Sequence, residues 1–113
     1  MKAINGRSGR PLATQLFVAA TFLSRSRGLL GRQGLSAGEG LLITPCNGVH
    51  TFFMRFPIDV LFLNGENRVI RTGEHLQPNR ISALLFSCKK VIELPAGAVS
   101  QSGTVTGDQI LLG

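Results

Sequence analysis

The sequence predicts an α+β domain that is mostly β: a small mixed or antiparallel sheet, or a partly closed barrel, with one or two short helices. Three observations carry this expectation. The chain has 113 residues, a length that suits one compact domain over 1–113. Fourteen glycines and five prolines interrupt it more often than a helical bundle tolerates. Hydrophobic residues at 43% and charged residues at 16% supply a core and exclude compositional disorder.

Residues 2–5 read as a short strand, ended by Asn5-Gly6 and the loop that runs to Pro11. Residues 12–20 are rich in β-compatible side chains and read as a single second strand. Thr21 or Ser24 then caps a short helix over 22–32, with Phe22, Leu23, Leu29 and Leu30 as its apolar stripe. Residues 40–45 and 49–54 read as strands, and 58–63 (IDVLFL) is the clearest strand of the chain. Asn64-Gly65 signals a turn, answered by a partner strand over 69–72. After a connection over 78–82, residues 84–88 and 89–94 read as strands, closed by Pro95-Ala96-Gly97. Gly107-Asp108 introduces a last strand over 109–112, and no repeat or low-complexity segment occurs.

The net charge of +6 is unevenly placed. Residues 1–56 carry Lys2, Arg7, Arg10, Arg25, Arg27, Arg32 and Arg55 against Glu39 alone, whereas residues 57–113 are balanced. A basic half suits an anionic partner such as nucleic acid, although dispersed arginines equally make a solvated face. No apolar run approaches the roughly 20 residues of a membrane-spanning helix, so no membrane partner is expected. The apolar stretch over 16–20 is followed by Ser24-Arg25-Ser26-Arg27 where a signal peptide would carry small cleavage-site residues. With only Cys46 and Cys88, the chain suits a reducing compartment better than a disulfide-stapled secreted scaffold, and a cytoplasmic location is expected. A single Cys46–Cys88 bridge stays open.

The densest reactive stretch is 46–59, CNGVHTFFMRFPID. A Cys46/His50 nucleophile pair needs sulfur and imidazole within hydrogen-bond reach. If Asn47-Gly48 were a two-residue hairpin turn, Cys46 and His50 would face opposite sides of the ribbon, and only a longer loop would relax this. Cys46, His50 and His75, with Asp59 or Glu93, have no recognised metal-ligand spacing, so neither a metal nor a cofactor is expected. Asp59 and Glu93 sit among apolar neighbours, where a carboxyl must be paired, hydrogen-bonded or protonated. Each is either a structural ion-pair member or a pocket acid. Gly31-Arg32-Gln33-Gly34 matches the Gly-x-x-Gly loop of KH domains, but residues 35–40 make a poor second helix. No phosphate-binding glycine loop of the P-loop or dinucleotide type is present.

Several spaced segments occur in order: RGLLGR at 27–32, GLL at 40–42, HTFFMRFPIDVLFL at 50–63, VIELPAG at 91–97 and Gly107-Asp108. Together they resemble the DUF192 family (domain of unknown function 192) over about residues 10–112. The resemblance implies a small, mostly β domain with a short helix near the N-terminus, and no established reaction or cofactor. Arg27, Gly28, Met54, Pro57, Asp59, Glu93, Gly97, Gly107 and Asp108 match the family's pattern. Phe53 stands where many members carry Trp, and many members have an export signal that this chain is expected to lack.

The leading functional expectation is a small cytoplasmic binding or accessory domain, with a pocket near residues 50–59 for a small, anionic ligand. Its candidate ligand contacts are Arg27, Phe53, Met54, Arg55, Asp59 and Glu93, and its partner is a small molecule or another protein. The alternatives are a thiol- or acid/base-dependent hydrolase using Cys46 and His50, and a weak electrostatic nucleic-acid binder acting through the basic half.

Overall fold

Apolar residues on both sides of a strand require protein on both faces of its sheet, and residues 58–63 and 90–95 have that pattern. In the computed structural model, which describes residues 1–21, 33–48, 55–78 and 85–113, these two strands are neighbours at the centre of the larger of two sheets. The described elements, in chain order, are β1 (Ala3–Asn5), β2 (Pro11–Ala13), β3 (Gln15–Ala19), β4 (Glu39–Ile43), β5 (Ile58–Leu63), β6 (Val69–Leu76), β7 (Lys90–Pro95), α1 (Ala98–Ser102) and β8 (Ile110–Leu112). The larger sheet has the order β3-β4-β7-β5-β6, and its β3–β4 pair alone is parallel. A second, antiparallel sheet has the order β2-β1-β8. The expected α+β, mostly β class is the one found, and among the described residues the strands form two open sheets.

Strand alternation divides the core in two. Leu61 and Leu63 of β5, Ile92 and Leu94 of β7 and Leu42 of β4 pack with Ala3, Leu12, Ile110 and Val99, which come from the small sheet and α1. Ile58, Val60, Phe62, Val91, Leu41 and Ile43 face the other way, with Ala19 and Cys88.

Two local expectations are corrected. The single strand over 12–20 is two strands, because Thr14 N and Gln15 N both donate to Gly38 O, each at 2.9 Å. Those bonds end β2 in the small sheet and start β3 in the large one. The described residues of the expected strand over 84–88 form a turn, in which Cys88 N donates to Leu85 O and Phe86 is wholly exposed. The expected turn at Asn64-Gly65 is present and leads into β6, with Asn64 Oδ1 accepting from both Glu66 N and Arg68 N at 3.0 Å. The expected helix over 22–32, the strand over 49–54 and residues 79–84 lie outside the described residues.

α1 has no counterpart in the sequence expectations. Its start is held by Asp59, a fully buried residue of β5. Asp59 Oδ2 accepts from Gly97 N at 3.0 Å and from Val99 N at 2.9 Å, while Oδ1 accepts from His75 N at 2.9 Å. Gly97 has φ 97°, which turns its N–H toward that carboxylate in a conformation other residues rarely adopt. Opposite Asp59 the register slips between Ile58↔Leu76 and Val60↔Gly73, a bulge that places His75 at φ 51° and frees its N–H for Asp59.

The chain ends are tied by a second carboxylate. Arg7 Nε and Nη2 donate to Asp108 Oδ1 and Oδ2 at 2.7 and 3.0 Å, and buried Asn5 donates to Asp108 Oδ2 at 2.9 Å. The Arg7 guanidinium and the Val105 N–H hold the Asp108 carboxyl well below the usual carboxylate range.

Asp59→Ala should destabilise the fold by roughly 3–5 kcal/mol, because it leaves one buried and two partly buried N–H groups without an acceptor. Urea denaturation followed by circular dichroism measures this, and a loss below about 1 kcal/mol would mean that water satisfies those groups. Gly40→Ala should cost roughly 1–3 kcal/mol in the same assay. A Cβ there would lie 3.0 Å from Leu94, 3.1 Å from Leu16 and 3.2 Å from Ala13, all buried.

Candidate functional site

Glu93 occupies the middle of β7, with Leu41 of β4 and Val60 of β5 as its cross-strand partners. Only 3% of its surface is exposed. Alternation along β7 puts it on the face of Val91, with Ile58, Val60 and Phe62, so its surroundings are apolar. Among the described residues, none makes a hydrogen bond or ion pair with its carboxyl. Burial pushes the Glu93 carboxyl up from 4.5 to about 7. Keeping it ionised at higher pH costs about 3 kcal/mol, at 1.36 kcal/mol for each unit. Near neutral pH it is therefore present as both acid and carboxylate, which is the state a proton donor and acceptor needs.

The candidate residues do not all converge. Asp59 pairs with Leu94 and Val60 with Glu93, so the two acids lie on opposite faces of the sheet. Asp59 spends its oxygens on three backbone N–H groups, whereas Glu93 meets no such donor among the described residues. Arg55 is exposed, and the next residue, Phe56, packs on the apolar face that Glu93 shares. His50, Arg27, Phe53 and Met54 lie outside the described residues.

The two thiols meet on that same face, although 42 positions separate them in the chain. Cys46 N donates to Lys89 O at 2.9 Å, which brings the Cys46 backbone beside Cys88, and Cys88 Sγ donates to Cys46 O at 3.4 Å and to Lys90 O at 3.2 Å. Cys46 Sγ donates to Gly48 O at 2.9 Å. Both cysteines are unbridged, and burial pushes the Cys88 thiol up. Hydrogen bonds from S–H to carbonyls favour the thiol over the nucleophilic thiolate. The Cys46–Cys88 bridge that the sequence left open is not formed, although the two residues are brought together. Among the described residues no three His, Cys, Asp or Glu side chains cluster as metal ligands, and no helix is long and apolar enough to cross a membrane.

Comparison with known proteins agrees with this architecture. The chain is similar to a UPF0127 protein of Thermococcus sibiricus, at 29% identity over 111 residues that cover 95% of this chain and 71% of the relative. Its fold matches the crystal structure of a protein of unknown function from Novosphingobium aromaticivorans, with a TM-score of 0.86 at 21% identity, covering 99% of this chain and 84% of that one. It also matches a candidate transcription regulator from Sinorhizobium meliloti, with a TM-score of 0.79 at 24% identity, covering 97% of this chain and 89% of that one. At those identities the two structures speak for the fold alone. The family profile of DUF192, described as "Uncharacterized ACR", matches residues 3–112, which includes Asp59, Glu93 and Gly97 in their structural places, and the chain belongs to that family.

Proposed function

We propose that this protein is a small binding or accessory domain that takes a small organic ligand on the sheet face around Glu93. The observation that carries the reading is a carboxyl buried among Leu41, Val60 and Val91 with no described partner and a pKa near 7. Such a group is costly to the fold, and a ligand hydroxyl or amine would supply the hydrogen bond it lacks. Arg55, exposed beside Phe56, is available to an anionic part of the same ligand. Arg27, Phe53 and Met54 belong to the proposal on the strength of the sequence. The unbridged cysteines suit a reducing compartment, and the cytoplasm is the location proposed. A thiol-dependent hydrolase is the weaker reading, because the Cys46 and Cys88 sulfurs both act as hydrogen-bond donors.

The raised Glu93 pKa fixes a sign. Between 4.5 and about 7 the folded state holds the proton that the unfolded state releases, so stability falls as pH rises and levels off above 7. Asp108 acts the other way at lower pH, since its contribution is lost as pH falls below the ordinary carboxylate range. The unfolding free energy from urea titration should therefore drop between pH 5 and 8 in the wild type, by a total of about 3 kcal/mol. Glu93→Gln should flatten that window and be the more stable protein at pH 8. An unchanged pH slope in the variant would remove Glu93 as the titrating group. A dye-reported thermal scan against small alcohols, amines and acids at pH 6 and 8 then tests the ligand. A midpoint shift that disappears in Glu93→Gln supports the site, and an equal shift in both proteins places the ligand elsewhere.

A further inference from the structure

On the opposite side of the large sheet, a cleft of about 380 Å³ opens between β2, the turn before β4 and α1. It falls within the roughly 300–1,000 Å³ of small-molecule sites. Its walls are mainly apolar, with Leu12, Ala37 and Pro95 among them, and its polar side chains are those of Arg10, Thr14, Gln101 and Ser102. From this cleft we propose a second binding site, one that takes a small monocarboxylate with an apolar body.

Arg10 selects the charge. Its Nη1 donates to Gln101 O at 3.2 Å, a bond that holds the side chain across to α1. That is one of the five N–H donors of a guanidinium. No carboxylate among the described residues lies within ion-pair distance of Arg10, in contrast to Arg7, which is matched by Asp108. The remaining fork suits the two oxygens of a carboxylate. One unmatched cation in a mostly apolar cleft balances one negative charge, which favours a monoanion over a phosphate dianion. Among the described residues Thr14 Oγ1 and the Gln101 side-chain amide meet no hydrogen-bond partner, and both add hydrogen-bonding capacity at the lining.

The cleft is held open by bonds to separate elements. Thr14 N and Gln15 N hold the Gly38 side through its carbonyl. Asp59 holds the wall between Pro95 and α1 through Gly97 N and Val99 N. A site whose walls are fixed beforehand loses less free energy to ordering when a ligand enters.

The test is an amide-resolved NMR titration of the full chain with sodium phenylacetate, alongside neutral phenylacetamide and inorganic phosphate. Phenylacetate should give saturable shifts at Gly38, Ala96, Ala98 and Gln101. Phenylacetamide should bind about tenfold more weakly or worse, as should phenylacetate to the Arg10→Gln variant, since each lacks a charge-assisted hydrogen bond. Phosphate should not compete. Arg10 is exposed, so the variant's spectrum should overlay the wild type away from the cleft. Ala37→Trp, which leaves Arg10 intact and fills the cleft, should abolish the shifts. Absence of saturable shifts at those amides, or equal affinity in Arg10→Gln, would overturn the proposal. Shifts at Val60 and Val91 instead would overturn it too, and would favour the Glu93 face.

Discussion

The Asp59 carboxylate lies at the junction of three elements, and each of them depends on it. It accepts the N–H of His75 at the β6 bulge, of Gly97 in the turn after β7, and of Val99 in α1. A five-residue helix has too few internal bonds to persist alone, so α1 exists because β5 supplies an acceptor at its start. The position of α1 in turn sets one wall of the Arg10 cleft and covers the side of the large sheet that packs on the small one. One side chain on the central strand thereby couples a bulge, a helix and a cavity.

Glu93 is the counterpart on the other face. It is adjacent to Asp59 in the sheet, one register step away on the neighbouring strand, yet its environment is opposite. Asp59 has its oxygens satisfied by backbone, and Glu93 has only apolar neighbours and a raised pKa. Two carboxyls a strand apart thus carry different chemistry because the pleat sends them to different sides. The thiols of Cys46 and Cys88 pack on the Glu93 side, so these three groups share a single face.

Some of this was legible in particular residues. The run over 58–63 reads as a strand because burial on both faces requires apolar residues without alternation, and β5 follows it residue for residue. The break at Thr14 was not legible, because β-compatible residues continue straight through it and the interruption is imposed by the Gly38 carbonyl from another part of the chain. Residues 85–88 have the composition of a strand, but their backbone bonds close a turn and leave Phe86 in solvent. α1 is too short for helical periodicity to register, and its signal is the pair of left-handed glycines, Gly97 and Gly103, that bracket it.

By itself the sequence determined the fold class, the two central strands, the family and the inventory of reactive groups, because local composition and period-two burial leave their mark on neighbouring residues. It also identified Asp59 and Glu93 as acids in apolar runs that needed an explanation. It took the folded chain to make Asp59 a backbone acceptor, to leave Glu93 without a partner among the described residues, to set Cys46 beside Cys88 and to place Arg10 at the border of a cleft. Each of those depends on which strands pair and in what register. Register is settled between segments far apart in the chain, and a shift of one residue would have exchanged the faces of every side chain involved.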